Sequence, residues 1–270
     1  MKKKNLLSLA LAVTMMFGSA AALPEGAFDE FASVSVSAEK ATKKSGNYEY
    51  KILDDGTVEI TKYVGMGGVV NIPPTLDEMA VTSIGKLSFY YEYEYESITS
   101  VTIPKGVTSI DSEAFRNCTK IKNVTIPSSV TIIGNCAFMD CSSLKSVIME
   151  NGVTNIGESA FNGCKSLTSV TIPNSTVNIG YGAFYDCQSL NDVRIPKSVS
   201  TIGNRAFGYT ENKIEDFIIY CYEGSQAEIY AKDNNFEYKY YCKVKFFLIS
   251  KQHKYAPKLV SSGLLLYYPI

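Results

Sequence analysis

The stretch VTNIGESAFNGCKSLTSVTIPNS, residues 153–175, is one copy of a unit that repeats along the chain and decides the fold. Successive units begin 23 residues apart, at Val107, Val130, Val153, Thr176 and Val199. The apolar positions of the quoted unit recur in the others, and they are Val153, Ile156, Ala160, Phe161, Cys164, Leu167, Val170 and Ile172. A fixed period of this length is typical of a solenoid, in which each unit forms one turn and buries its apolar residues against its neighbours.

The end of each unit predicts a β-strand with one face inward. Phrases such as Leu167-Thr-Ser-Val170-Thr-Ile172 fit the pattern of leucine-rich repeats, and their Val-x-Ile alternation is that of a half-buried strand. A proline then ends the strand because it has no N–H, and a glycine farther on is expected to make a tight turn. The prolines are Pro104, Pro127, Pro173 and Pro196, and the glycines are Gly134, Gly157, Gly180 and Gly203. We expect a parallel sheet on one face, with Val124, Val147, Val170 and Val193 in one inward column.

The N-terminal side of the array is less regular. One unit begins at Val81, 26 residues before Val107, and Val70–Pro73 indicates a further, partial unit. Before these units, alternating apolar residues surround Asp55-Gly56, a dipeptide typical of type I′ hairpins. The predicted fold is therefore a mostly-β leucine-rich-repeat solenoid, right-handed and curved, with about six 23-residue repeats and an N-terminal β-hairpin cap.

Phenylalanine and cysteine each recur at one position of successive units, and both columns are expected to lie in the core. The phenylalanines are Phe115, Phe138, Phe161, Phe184 and Phe207, and the cysteines are Cys118, Cys141, Cys164 and Cys187. Stacked side chains point the same way, which favours free buried thiols over a ladder of disulfides, although an exported chain permits oxidation. The pair best placed to be an exception is Cys136 with Cys141, within one unit.

The outward positions of the predicted strands form two candidate binding columns. One column is Ser100, Asn123, Ser146, Ser169, Asp192 and Asp216, and the other is Thr102, Thr125, Ile148, Thr171, Arg194 and Ile218. They are small and polar at one end and charged or apolar at the other. Such a face can dock an extended protein, but it can equally be a plain solvated sheet. As binding residues we select Asn123, Thr125, Ser146, Ile148, Ser169, Thr171, Asp192 and Arg194.

A second candidate surface is the insertion of extra residues in the unit that begins at Val81. Tyr90, Tyr91, Tyr93 and Tyr95 are interleaved with glutamates there, which predicts an acidic, aromatic loop. Exposed tyrosine-rich loops favour recognition. The alternative is a harmless insertion, which surface loops tolerate at little entropic cost.

The chain is expected to divide into five segments. Residues 1–38 are predicted as a signal peptide, because Lys2–Lys4 precede a short apolar run, with cleavage in Ala20–Ala22 or, as we favour, before Glu39. An uncleaved membrane anchor is the alternative. Then follow an N-terminal cap at 39–80, repeats at 81–220, a C-terminal cap at 221–249 and a poorly ordered tail at 250–270. Within or next to the C-terminal cap we expect a last strand at 214–219, a helical turn at 225–233 and a capping strand at 244–249.

The residues that catalysis needs are missing from the repeats. The one histidine, His253, lies outside them, so no Ser-His or Cys-His pair can be assembled there, and no zinc ligand pattern is present. The net charge of −1 gives no basic field for a phosphate backbone. We therefore predict a protein that is not an enzyme, has no cofactor and no metal, and does not bind nucleic acid.

The repeat phrase Val-Thr-x-Ile-Gly-x-x-Ala-Phe-x-x-Cys-x-x-Leu-x-x-Val-x-Ile-Pro resembles the BspA-type leucine-rich repeats of bacterial surface antigens, over about residues 46–235. The resemblance implies a secreted or surface protein, since some members are implicated in binding host matrix proteins, mucosal surfaces or other bacteria. It implies no catalytic residues. Departures from the pattern are Glu150 at a proline position, Asp111 at a glycine position and Thr210 at the cysteine position.

The expected function is that of a secreted or cell-surface binding module that recognises extracellular proteins or glycans. The alternative is a structural spacer whose repeats set reach without a ligand. The chain has no tryptophan, so tyrosine would have to supply any sugar-stacking surface. We further expect a monomer without a transmembrane anchor in the mature chain.

Overall fold

The computed structural model describes residues 41–90 and 98–241, and the backbone of two short strands at 258–259 and 265–266. All of these except Ala41 belong to one structural unit, Thr42–Ile270. The predicted signal peptide, the tyrosines Tyr91, Tyr93 and Tyr95, and the predicted capping strand at 244–249 lie outside the described residues.

Short strands and one helix make up the described unit. In chain order they are β1 (Lys43–Ser45), β2 (Tyr48–Ile52), β3 (Val58–Tyr63), β4 (Gly68–Asn71), β5 (Thr75–Leu76), β6 (Met79–Ile84), β7 (Ile98–Thr102), β8 (Ser109–Ile110), β9 (Asn123–Ile126), β10 (Ile132–Ile133), β11 (Ser146–Met149), β12 (Asn155–Ile156), β13 (Ser169–Thr171), β14 (Asn178–Ile179), β15 (Asp192–Arg194), β16 (Thr201–Ile202), β17 (Ile218–Cys221), α1 (Gln226–Asp233), β18 (Glu237–Tyr240), β19 (Lys258–Leu259) and β20 (Leu265–Leu266).

The predicted parallel strands are present, and we call them the valine ladder: β4, β7, β9, β11, β13, β15, β17 and β18. Val147 pairs with Val124 on one side and with Val170 on the other, so the predicted inward column is confirmed across these three strands. Val193 is also buried, and it pairs with Ile219 of β17. The ladder is nevertheless interrupted: no strand pairing joins β7 to β9 or β13 to β15 among the described residues.

A second parallel ladder, which the sequence did not predict, runs through the Thr-x-Ile phrases. We call it the isoleucine ladder, and its strands β6, β8, β10, β12, β14 and β16 form an uninterrupted series that continues through β3 into the N-terminal hairpin. Ile133, for example, pairs with Ile110 and Ile156. The structure therefore has the parallel sheet that was predicted and, in addition, a second one. Strands β8 to β16 of this ladder have only two residues each, too few for an alternation of apolar and polar side chains to reveal them.

The glycine column beside the isoleucine ladder is required by close approach between units, not by an unusual φ. A Cβ placed on Gly180 would lie 2.5 Å from the backbone nitrogen of Glu158, and one on Gly157 would lie 2.6 Å from the carbonyl carbon of Gly134. None of the glycines Gly134, Gly157, Gly180 and Gly203 has a positive φ, which corrects the expectation that they supply conformational freedom at a turn. Asp111 holds the same position one unit earlier, and nothing in the structure explains that substitution.

The core consists of stacked columns, as predicted. Phe161 lies between Phe138 and Phe184, with ring centroids 5.2 and 5.1 Å away, and the column continues to Phe89 at one end and Phe207 at the other. The four repeat cysteines are buried free thiols, and each donates to the carbonyl of a phenylalanine in a preceding unit, as Cys164 does to Phe138 at 3.3 Å. Cys136, half-buried, is also free, so the suggested bridge to Cys141 is absent.

The N-terminal cap is the predicted hairpin, but its turn differs from the predicted type. Strands β2 and β3 pair antiparallel, and β3 then pairs parallel with β6 to start the isoleucine ladder. The amide of Leu53 donates to the carbonyl of Thr57 at 2.8 Å. Among the loop residues Asp54, Asp55 and Gly56, only Gly56 has a positive φ, of 83°. This is a three-residue loop with a G1 bulge, whereas a type I′ turn would need Asp55 to have a positive φ as well.

The last strand before the C-terminal helix begins later than the sequence indicated. The strand expected at 214–219 is β17, Ile218–Cys221, and it pairs with β15 so that Ile218 faces Asp192, 26 residues earlier. The predicted helical turn is α1, whose N-cap Ser225 accepts from the amide of Glu228 through its side chain. Strand β18 then pairs parallel with β17.

Glu228 connects three parts of this cap through hydrogen bonds. Its carboxylate accepts hydrogen bonds from the ammonium group of Lys232 at 2.5 Å, the hydroxyl of Tyr240 at 2.7 Å and the amide of Gly224 at 2.6 Å. These hydrogen bonds lower the pKa of Glu228 from 4.5 to about 2, and the bond from Lys232 has the largest effect. The cap is therefore stabilised by an ionised carboxylate that donors surround.

We expect the stability of this cap to fall as the pH drops. A carboxyl with a depressed pKa stabilises the folded state fully above its unfolded pKa near 4.5, and this contribution is lost as the pH falls towards 2. Glu228→Gln should therefore lower the melting temperature at neutral pH and flatten its decline between pH 4.5 and 2. Thermal scans across that range test this, with Glu223→Gln, at an exposed position, as control. A Glu228→Gln protein with the same decline as the wild type would contradict it.

The C-terminal strands β19 and β20 pair antiparallel, with Lys258 opposite Leu266. The other residues of the segment at 250–270 lie outside those that the structure describes, so its poor order stays a prediction. Within the described residues, no helix is long and apolar enough to cross a membrane.

Candidate functional site

The predicted binding columns lie on the outer side of the valine ladder. Seven of the eight selected strand residues are exposed, and Ser146 is half-buried. The last members were wrong: Asp216 lies before β17, and Ile218 and Tyr220 pair with Asp192 and Arg194 instead. The unit beginning at Val199 thus holds three more residues than the period of 23, which the sequence pattern alone did not reveal.

Tyrosines replace prolines at the C-terminal end of the same face. Proline follows the strand in most units, but Tyr222 follows β17 and Tyr241 follows β18. A residue with an N–H can extend the ladder where proline cannot, and the amide of Tyr241 donates to the carbonyl of Cys221 at 3.0 Å. Neither tyrosine was selected from the sequence, although the change from proline to tyrosine was the signal that could have identified them.

A groove of about 490 Å³ opens where the valine ladder is interrupted between β13 and β15. One wall is Thr168–Ile172 with Asn174, and the opposite wall carries Asp192 and Arg194. Tyr222 and Tyr241 also line the groove. Strands β13 and β15 therefore lack the pairing that joins β9, β11 and β13. Four of the selected residues, Ser169, Thr171, Asp192 and Arg194, line this groove, whereas Asn123, Thr125, Ser146 and Ile148 lie farther along the face.

Aromatic rings and one cation dominate the exposed end of the groove. The guanidinium carbon of Arg194 lies 5.0 Å from the ring centroid of Tyr220, so the cation rests on an aromatic face. The rings of Tyr222 and Tyr241 are 4.5 Å apart. Burial and the neighbouring Tyr222 raise the pKa of Tyr241 to about 12, against the opposing effect of Arg194, so this phenol stays protonated at neutral pH. The groove thus presents neutral hydroxyls, one guanidinium and the exposed carboxylate of Asp192.

The tyrosine insertion can be placed only in part. Tyr90 is 40% exposed, and its amide donates to the carbonyl of Leu87 at 3.1 Å. The other three selected tyrosines lie outside the described residues. Among the residues that the structure describes, no cluster of histidine, cysteine or carboxylate side chains is arranged to hold a metal ion.

Comparison with known proteins gives one family. The sequence model of the BspA type leucine rich repeat region matches residues 80–215 in six copies. A leucine rich cell surface protein from Faecalibacterium prausnitzii has a solved structure similar to this one, with 33% identity, a TM-score of 0.52, and coverage of 68% of this chain and 55% of that chain. A leucine-rich repeat protein from T. pallidum has 26% identity and a TM-score of 0.47, with coverage of 67% and 72%. No curated protein matches the chain.

Proposed function

Since this chain belongs to the BspA-type leucine-rich repeat family, we propose that it is a secreted or cell-surface binding module that recognises extracellular proteins or glycans. The similar protein from Faecalibacterium prausnitzii is described as a cell surface protein, and the N-terminal sequence has the features of an export signal. The chain spans only about half of that relative, so the activity of the relative as a whole does not transfer directly.

The groove between β13 and β15 is the observation that carries this proposal. A spacer needs only a solvated surface, and the small polar residues near Asn123 and Ser146 would serve a spacer well. The other end of the face has instead a concave space of about 490 Å³, within the size range of ligand sites, with arginine and tyrosine at its rim. These two residue types are enriched where binding energy concentrates.

The proposal requires no catalytic group. A binding surface on a repeat scaffold acts through shape, hydrogen bonding and aromatic contact, and the groove offers these without a nucleophile and base arranged as a pair. We therefore propose a protein that is not an enzyme, acts without cofactor or metal, functions as a monomer and does not bind nucleic acid.

A variant of the groove should lose binding while keeping its fold. We expect Arg194→Ser, Tyr222→Ser and Tyr241→Ser, combined, to weaken binding to immobilised mucin or collagen by about tenfold or more, because truncated aromatic and arginine anchors dominate interface energies. Surface plasmon resonance with the chain from Glu39 onward measures this. The matched control is Tyr181→Ser, at an exposed tyrosine that does not line the groove, and melting temperatures check folding. Binding of neither probe, or equal binding by groove variant and wild type, would contradict the proposal.

The tyrosine insertion gives a separate prediction. Deleting residues 90–96 should leave the melting temperature nearly unchanged, because loop length contributes weakly to stability. The same deletion should lower the affinity for whichever probe binds the wild type. Unchanged affinity would remove the insertion from the binding surface and leave the groove as the site.

A further inference from the structure

We infer that the groove between β13 and β15 binds an uncharged oligosaccharide, with sugar rings against Tyr222 and Tyr241 and sugar hydroxyls hydrogen-bonded to Asp192, Arg194 and the adjoining strand walls. This inference rests on the proposed function and specifies its ligand. It depends on the width of the groove, its charges and the chemistry of its walls.

The width of the groove rules out an inserted peptide strand. Strands in a sheet lie about 4.7–4.9 Å apart, so a strand added between β13 and β15 would require them to be about 9.5 Å apart. Their Cα atoms come within 8 Å of one another. The interruption therefore leaves no room for another chain to pair with both strands.

The charges favour a neutral ligand that both donates and accepts hydrogen bonds. Asp192 and Arg194 stand two residues apart on one side of β15, and both are exposed. In the described part of the chain neither has an ion-pair partner within 4.0 Å. An anion that approaches Arg194 meets the carboxylate of Asp192, and a cation that approaches Asp192 meets the guanidinium. A sugar hydroxyl can donate to the carboxylate while its neighbour accepts from the guanidinium, so no net charge is required.

Tyr222 and Tyr241 supply aromatic surface against which the apolar face of a sugar ring can pack. Tyr222 is 38% exposed and lies beside Tyr241, so the pair presents ring surface and hydroxyl groups at the mouth of the groove. Aromatic side chains of this kind combine an apolar body with a polar end, which suits a ligand whose ring is apolar on its faces and polar at its edge. The exposed residues of the β13 wall, Ser169 and Thr171, are small and polar, and the exposed Ile148 lies on β11 outside the groove lining, so the groove itself offers a protein partner no aliphatic anchor.

Four neutral hexasaccharides test the inference on the chain from Glu39 onward: cellohexaose, maltohexaose, chitohexaose and mannohexaose. Saturation-transfer NMR and isothermal titration should show binding of at least one, with Kd raised about tenfold or more by Tyr222→Ser with Tyr241→Ser. Asp192→Asn and Arg194→Gln should each weaken binding, and Tyr181→Ser, at an exposed tyrosine outside the groove, should not. Melting temperatures confirm that the variants fold.

Three outcomes would overturn the inference: no hexasaccharide binds, binding is the same in the groove variants, or only an anionic heparin hexasaccharide binds. Its failure can be separated from that of the proposed function by competition. Groove-dependent binding to mucin or collagen that no neutral hexasaccharide displaces would leave a binding module whose groove is not a sugar site. Loss of all binding would contradict both.

Discussion

Replacing Phe161 with alanine is expected to lower the free energy of unfolding by about 3–5 kcal/mol, the range for truncating a buried phenylalanine. The ring is fully buried and stacks on Phe138 and Phe184, so its removal leaves a cavity that both neighbouring units border. The backbone around it is held by the neighbouring unit, since the amide of Phe161 donates to the carbonyl of Ala183 at 2.7 Å. Collapse to fill the cavity is therefore limited.

Urea unfolding followed by circular dichroism measures this effect. The matched control is Ser169→Ala in the same unit, where an exposed substitution should change stability by less than about 0.5 kcal/mol. Because each unit contacts only its neighbours, the unfolding transition should also broaden as the array separates into two parts at the cavity. A loss below about 1 kcal/mol for Phe161→Ala would mean that the column does not carry the stability that its burial implies.

Gly180→Ala is expected to be the other strongly destabilising change, costing about 1–3 kcal/mol or more through overpacking. The added Cβ would lie 2.5 Å from the nitrogen and 2.8 Å from the Cα of Glu158, and 2.6 Å from the carbonyl carbon of Gly157. All three atoms are backbone, so no side chain can rotate away. The units must move apart, which stretches the bond from the amide of Gly180 to the carbonyl of Ile156, now 2.8 Å.

Gly106→Ala is the control for the glycine substitution. A Cβ there would approach one atom, the carbonyl oxygen of Val81, at 3.3 Å, and the residue is exposed with no positive φ. Alanine at such a site restricts the unfolded chain and should be neutral or slightly stabilising. If both substitutions have the same effect on urea midpoints, the glycine column does not set the spacing of the units.

The architecture can be predicted from the repeat, because the same burial requirement returns every 23 residues. Stacked units place each position against its copy, so a period fixes which side chains meet: Phe138 on Phe161, Val124 beside Val147. The repeat sequence also identifies the outer face. Side chains alternate along a strand, and the inward positions of each strand are occupied by valine and isoleucine.

The features that could not be predicted from the repeat concern the backbone between units. The two-residue strands of the isoleucine ladder are too short for an alternation of apolar and polar side chains to identify them as strands, and the glycines beside them are required by the close approach of the preceding unit. The shift that brings Tyr220 opposite Arg194 follows from three additional residues in one unit, whose place a fixed period cannot predict. The break between β13 and β15 lies between ordinary repeat sequences, Ser169–Thr171 and Asp192–Arg194. Its groove exists because two neighbouring strands do not pair, and pairing is a property of their relative position, which neither sequence contains alone.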